Sequence, residues 1–166
     1  MVDYVEDYPV KNFPMKFKWQ TGVWFDLFEQ QIGLIQTDIK RALIGERLVV
    51  YLSCPLSARG GGHPDTNVEI AKYTQQRIMK KWGTRFWVLN PAQYQMQSKE
   101  GSGLIRSHFL KLYKDSEMNY RELQKEHSPE GGDYMRMWTR VLVEDDNKNL
   151  GDHFSAYYFL GPSDVL

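Results

Sequence analysis

The sequence predicts an α/β fold in which a parallel sheet carries helices on its faces. Three observations support it: short apolar runs rich in β-branched residues, amphipathic stretches between them, and glycine or proline at the junctions. Strands that alternate with helices are typical of parallel sheets, because each connection crosses over the sheet. The 166 residues fit one core, so the sequence predicts a single domain over residues 1–166.

The first 46 residues are expected to form an arm and a helix. Residues 1–21 contain two prolines and mix aromatic with charged side chains, which predicts an extended arm packed on this domain or on a neighbour. Residues 22–46 predict an amphipathic helix that ends near Gly45, because apolar residues recur every three or four positions. That apolar stripe consists of Trp24, Phe28, Ile32, Ile35, Ile39 and Leu43.

The sequence pattern over residues 47–166 predicts the core of the fold. The helix that follows the first strand is expected to start at Thr66, because Thr66 and Glu69 match an S/T-x-x-E capping box, and to end at Gly83. The predicted elements, in order, are a strand at 47–53, a helix at 66–82, a strand at 84–89, a polar loop at 91–103, a helix at 104–126, a helix after Gly132 and a strand at 155–160.

Composition limits the partners of this chain. Its 21 basic residues balance its 21 acidic residues, so a long-range field for nucleic acid or anionic membranes is lacking and neither partner is expected. A single cysteine excludes an intrachain disulfide and favours a reducing, cytoplasmic location. We expect no signal peptide and no membrane span. The five Trp, ten Tyr and eight Phe suggest a homo-oligomer interface or a stacking pocket, with Trp87, Tyr94 and Trp138 as stacking candidates.

A glycine-rich segment between the first core strand and its helix is the leading candidate for ligand binding. Three glycines allow backbone N–H groups to approach a ligand, an arginine can grip a phosphate with two hydrogen bonds, and the helix dipole adds positive potential. The segment matches neither the P-loop nor the dinucleotide pattern, and a plain surface connection is the alternative. The predicted substrate-binding residues are Ser53, Arg59, Gly60, Gly61, Gly62 and Asn67.

Three stretches resemble the nucleoside 2-deoxyribosyltransferase superfamily, which includes nucleotide N-glycosidases. They are Val50-Tyr51-Leu52-Ser53, Arg59-Gly60-Gly61-Gly62, and Gly132-Asp133-Tyr134 at the start of a helix. The resemblance covers roughly residues 47–166. It implies a flavodoxin-like, Rossmann-like sheet with helices on both faces, an oligomeric state, and chemistry at the bond between sugar C1′ and a nucleobase.

The resemblance also implies catalytic roles. Cleavage of an N-glycosidic bond needs a carboxylate near C1′ and an acid near the departing base. Tyr51 matches the family tyrosine on the first strand, Asp133 is the expected acid, and Asp164 is the expected positioning carboxylate. Each has a structural alternative: Tyr51 as a core ring, Asp133 as a helix cap, and Asp164 as a turn residue.

The family nucleophile is a glutamate a few residues beyond an aspartate such as Asp164, and no counterpart occurs up to Leu166. Three explanations are open. Further sequence supplies the glutamate, a partner chain supplies it, or the protein is a module that binds a nucleotide or nucleotide-sugar without turnover. A further possibility is an interaction protein that works through its aromatic arm. The four histidines lack metal-ligand spacing, so we expect no metal and no cofactor.

Overall fold

The computed structural model describes residues 4–5, 19–20, 24–54, 63–96, 131–144 and 152–161, together with Gly103, Ser107 and Pro129. In chain order, the main elements are β1 (Tyr4–Val5), β2 (Trp19–Gln20), α1 (Phe25–Ile44), β3 (Leu48–Ser53), α2 (Pro64–Trp82), β4 (Phe86–Leu89), α3 (Gly131–Val143) and β5 (Ala156–Phe159). Contacts group the chain into a first unit, residues 1–36 and 96–152, and a second unit, residues 37–95 and 153–166.

The second unit contains a three-stranded sheet in the order β4-β3-β5, and both pairings are parallel. β3 pairs with β4 from Leu48↔Phe86 to Tyr51↔Leu89, and with β5 through Ser53↔Phe159 at its carboxyl end. The α/β class and the parallel sheet predicted from the sequence are therefore confirmed.

The α2 helix covers one face of this sheet. Alternate residues of β3 share a face because side chains alternate along a strand. Val50 and Leu52 pack with Val88 of β4 and with Ala71 and Ile78 of α2 in one buried apolar cluster.

The start of α2 differs from the prediction. The helix begins at Pro64, with His63 as the N-cap, so the prediction of a capping box at Thr66 and Glu69 is wrong. Proline suits the first helical position because its φ is preset and its missing N–H would have no partner there. Glu69 instead pairs with Lys72, at 2.9 Å between Oε1 and Nζ. The predicted end is confirmed, since Gly83 has a φ of 75° and its N–H donates to the Met79 carbonyl.

The strand after α2 is shorter than predicted. A 3-10 turn occupies Gly83–Arg85, and β4 begins only at Phe86. The following polar stretch contains a second 3-10 turn, Pro91–Tyr94, whose first turn is capped by Asn90. Of the predicted loop at 91–103, the structure describes residues as far as Met96 and Gly103, and of the predicted helix at 104–126 it describes Ser107.

The helix predicted at residues 22–46 is present as α1, within three residues at each end. Its apolar stripe is buried from Trp24 to Ile39, whereas Leu43 in the last turn is 42% exposed. The chain leaves the helix through Glu46, whose φ of 54° lies in the left-handed region. The preceding residue is Gly45. A Cβ atom added there would lie 3.3 Å from the Arg41 carbonyl oxygen, which explains why glycine occupies this position.

The first unit joins α3 to the first half of α1. Met137 and Val141 are fully buried on α3, as its periodicity predicts, and Tyr134 packs edge-on against Phe28 with ring centroids 5.1 Å apart. Charged side chains lie there as well, and all of them are buried except the half-buried Glu29. We call them the ionic cluster: Glu29 of α1 and Arg136, Arg140 and Glu144 of α3 and its end.

The ionic cluster is linked by short contacts. Arg140 Nε donates to Glu144 Oε1 at 2.6 Å, Arg140 Nη1 donates to Glu29 Oε1, and Arg136 Nη2 lies 3.3 Å from the same Glu29 oxygen. Burial alone would lower the pKa of Arg140, but the hydrogen bonds and charges of Glu29 and Glu144 outweigh it and raise the pKa. Arg140 is therefore a permanent cation held between two carboxylates.

Part of the predicted extended arm is paired. Val5 lies opposite Trp19 and Tyr4 lies opposite Gln20, so β1 and β2 form a two-stranded antiparallel ladder. No helix within the described residues is both long and apolar enough to cross a membrane.

Candidate functional site

The site begins at the topological switch point of the sheet. β4 follows β3 in the chain and lies on one side of it, whereas β5 lies on the other side. In open α/β sheets, the crevice beyond the carboxyl ends of two strands that diverge in this way is where ligands bind. Here those strands are β3 and β5, and the Leu160 N–H donates to the Ser53 carbonyl oxygen at 3.1 Å across their ends. The sheet therefore places Ser53 beside Phe159 at the carboxyl ends of these two strands.

Ser53 and Cys54 end β3 at the switch point, and both are half-buried. The Ser53 hydroxyl makes no hydrogen bond within the described part of the chain, so it can donate to or accept from a ligand. Cys54 packs against the apolar cluster beneath α2. Burial raises the pKa of its thiol to about 12, so the thiol is neutral at physiological pH and a poor nucleophile.

Tyr51 lies two residues before Ser53 and on the same face of the sheet. Its ring packs edge-on against Phe154 at 5.7 Å and beside Tyr157 at 6.3 Å, and the His153 ring stacks 4.5 Å from Phe154. Burial, and then the proximity of Cys54, raise the pKa of the Tyr51 hydroxyl. The hydroxyl therefore stays protonated and can serve as a hydrogen-bond donor rather than as a base.

Two aromatic residues of β5 extend this face toward solvent, and sequence reasoning missed both. Tyr157 is 49% exposed and Phe159 is 72% exposed. They lie opposite Tyr51 and Ser53 in the parallel register. The run from Ala156 to Leu160 is apolar at every position, so its sequence pattern has no period from which the exposed face could be predicted.

At the carboxyl end of β4, polar side chains form hydrogen bonds with one another and with the backbone. Asn90 is fully buried, accepts from the Ala92 N–H at 3.0 Å, and donates to Gln75 Oε1 at 3.1 Å. Gln75 in turn donates to the Val88 carbonyl oxygen at 3.0 Å and to Gln93 Oε1 at 3.2 Å. These polar groups satisfy one another, so the carboxyl ends of β3 and β5 are the better candidate for a ligand.

Of the stacking candidates predicted from the sequence, Trp87 lies in β4 and Tyr94 in the 3-10 turn after it, whereas Trp138 lies on α3 of the first unit. Trp87, Tyr94 and Trp138 are each half-buried. The Tyr94 hydroxyl donates to Asp38 Oδ2 at 2.9 Å, which gives that side chain a structural role.

The predicted binding residue Asn67 lies in the first turn of α2 and is 8% exposed. Its backbone N–H donates to the His63 carbonyl oxygen at 3.0 Å. The His63 side chain makes no capping hydrogen bond to the first turn. Asp65, however, places an exposed carboxylate in that turn, where it competes with any anionic ligand for the helix dipole.

Asp133 lies in the first turn of α3 and belongs to the first unit, whereas Tyr51, Ser53 and Asn67 belong to the second. A carboxylate in the first turn stabilises a helix through its dipole, which is a sufficient structural reason for Asp133. Asp164 and the glycine-rich residues 59–62 lie outside the described residues, so their predicted roles stay predictions. Within the described residues, no group of three or more His, Cys, Asp or Glu side chains is arranged to hold a metal ion.

Comparison with family models, with curated proteins and with solved structures finds no match to this chain. The resemblance to the deoxyribosyltransferase superfamily, the homo-oligomer and the cytoplasmic location therefore remain predictions.

Proposed function

We propose that this chain binds a nucleoside or nucleotide at the switch point between β3 and β5 and acts on the bond between sugar C1′ and the base. The observation that supports the proposal is the continuity of chain at that point. β3 ends at Ser53, residues 55–62 contain Arg59 and three glycines, and α2 starts at Pro64. A parallel strand, a glycine-rich turn and a helix N-terminus in this order are typical of sites for phosphorylated ligands.

A 5′-phosphate is favoured because a guanidinium and glycine N–H groups suit an anion. Asp65 repels an anion from the first turn of α2. The phosphate is therefore assigned to Arg59 and the glycines rather than to the helix N-terminus alone.

Hydrolysis at C1′ passes through an oxocarbenium-like state. Water would supply a hydroxyl to C1′ and the departing base nitrogen would gain a proton, so the C–N bond breaks with no redox change. In the roles that the family resemblance implies, Asp133 would protonate the base, Asp164 would stabilise the positive charge near C1′, and the neutral Tyr51 hydroxyl would donate to the sugar. In the deoxyribosyltransferase variant, a second base replaces water as the acceptor.

A nucleotide or nucleotide-sugar binding module without turnover is the second candidate. The observation that favours it is the lack of a carboxylate at the described strand ends. Ser53, Cys54, Leu160 and Gly161 include no carboxylate, so these residues cannot stabilise a cation at C1′.

An activity assay separates the two candidates. The protein is incubated with a panel of nucleosides, nucleotides and NAD, and free base is measured by chromatography. Release of base that Asp133→Asn reduces by about a hundredfold or more supports the enzyme. Binding without release supports the module.

Thermal shift with the same panel tests the phosphate assignment, because a ligand that binds only the native state raises Tm. Arg59→Ala is expected to remove the difference in shift between a nucleotide and its nucleoside. Arg85→Ala removes an exposed arginine from the turn before β4 and serves as the matched control. If Arg59→Ala leaves the nucleotide shift unchanged, the assignment of the phosphate is wrong.

A further inference from the structure

We propose that Phe159, supported by Tyr157, is the surface on which the planar base of a bound nucleotide stacks. The inference rests on the proposed function and names the contact that would bind the base. It concerns residues that the family resemblance does not assign.

The exposure of Phe159 is the first observation. The side chain is 72% exposed at the end of a strand, although the chain has a core in which Leu52 and Leu89 are fully buried. An exposed phenyl ring loses the free energy that burial of an aromatic side chain would provide. A ligand ring placed on it would recover part of that free energy.

The position of the ring is the second observation. Phe159 is the register partner of Ser53, so both side chains emerge on one face at the carboxyl ends of β3 and β5. This is the switch point, and Ser53 leads into the residues proposed to hold the phosphate. The proposed surface for the base therefore lies beside Ser53, at the end of the strand that precedes Arg59 in the sequence.

The rigidity of the platform is the third observation. β5 is tied to β3 at both ends, by the Ser155 N–H to the Val49 carbonyl oxygen at 2.8 Å and by the Leu160 N–H to the Ser53 carbonyl oxygen at 3.1 Å. The Tyr157 ring contacts the rings of Tyr51 and Phe154, at 6.3 and 5.7 Å between centroids. A surface that is already ordered loses little entropy when a flat ligand binds.

The chemistry of the surface points to a ring rather than to a charged group. No charged residue occurs from Ser155 to Gly161. Stacking on an aromatic face tolerates any base, because every base has a π-face. The ligand class is therefore a nucleotide whose base contributes affinity without direct reading of its edges by β5.

Isothermal titration calorimetry with two probes tests the inference. Adenosine 5′-monophosphate carries a base and ribose 5-phosphate does not. Phe159→Ala is expected to weaken binding of the first about tenfold and to leave binding of the second unchanged. Phe159→Leu, which keeps an apolar side chain without a ring, should lose nearly as much, and Phe159→Trp should bind at least as tightly as the wild type.

Tyr73→Ala is the matched control, since Tyr73 is 61% exposed on α2 in the same unit. It should leave both affinities unchanged. If both probes bind the wild type and Phe159→Ala binds them equally well, the stacking role is wrong and the proposed function stands. If neither probe binds the wild type, the proposed function and the stacking role both fail. A dimer that Phe159→Ala dissociates, without loss of the preference for the nucleotide, would show that the ring serves an interface between copies.

Discussion

The two units use different kinds of contact, ionic in the first and apolar in the second, to pack a helix against its neighbour. In the first unit, α1 and α3 are joined by the ionic cluster, in which Arg140 and Glu144 are 5% and 1% exposed. In the second unit, α2 packs on the sheet mainly through an apolar layer that includes Val50, Leu52 and Ile78. Ionic contacts fix one register because each charge requires its partner, whereas apolar contacts tolerate small shifts. The comparison predicts opposite responses to loss of a polar group.

The largest effect is expected in the ionic cluster. Arg140→Ala removes the cation between Glu29 and Glu144 and leaves the Glu144 carboxylate buried beside an empty space. We expect the free energy of unfolding, measured by urea titration, to fall by about 3–5 kcal/mol.

Two further variants serve as controls for Arg140→Ala. Arg41→Ala breaks an exposed pair with Asp38, at 3.3 Å, and should change stability by less than about 1 kcal/mol. The double variant Arg140→Met with Glu144→Leu should recover most of the loss, because it removes both buried charges. A loss as small as that of Arg41→Ala would contradict a buried, coupled cluster.

A change in the apolar layer of the second unit should have the opposite sign. Thr74 is fully buried on α2, and its hydroxyl has no hydrogen-bond partner in the described part of the chain. Thr74→Val replaces that hydroxyl by a methyl group of similar size. We expect Thr74→Val to raise the free energy of unfolding by about 1 kcal/mol. Thr74→Ser keeps the hydroxyl and should not stabilise; a destabilised Thr74→Val protein would mean that the hydroxyl is paired.

The smallest effect on the free energy of unfolding at neutral pH is expected for Cys54, whose side chain packs against the apolar cluster of the second unit. Its pKa is raised to about 12, so the native state keeps the proton while the unfolded chain loses it near pH 9. The stability that the buried thiol contributes is therefore present below pH 9 and is lost as pH rises from 9 toward 12.

Alkylation of the single cysteine checks that assignment. At pH 8, iodoacetamide should modify the native protein on the order of a hundredfold more slowly than the denatured chain, because little thiolate is present. Cys54→Ser removes the signal and serves as the blank. Equal rates in the native and denatured states would show that the thiol is neither buried nor perturbed.

Most of the secondary structure could be predicted because its signals are local. The stripe from Trp24 to Ile39 and the apolar run of β3 depend on spacing along a few turns or residues. The start of α2 was misplaced because two local signals compete: Thr66 offers a capping side chain, whereas Pro64 fits the first helical position two residues earlier.

Of the candidate site, the sequence could predict the strand, the glycines and the arginine, but not the β5 residues beside them. Phe159 lies 106 positions after Ser53 in the chain, and only the parallel pairing of β3 with β5 brings them together. Nor could the sequence separate the exposed ring of Phe159 from the half-buried Tyr158 and Leu160 in an unbroken apolar run.

By itself, the sequence determined the types of the elements and the balanced charge of the chain, because both depend on residues and their immediate spacing. Tertiary structure alone decided the strand order β4-β3-β5, and with it the switch point, because strand order depends on how crossovers pack rather than on any one segment. It also decided that Arg140 and Glu144 are buried, since α1 supplies Glu29 as the missing partner. Charged residues at helical spacing look like a solvated face until another helix covers them.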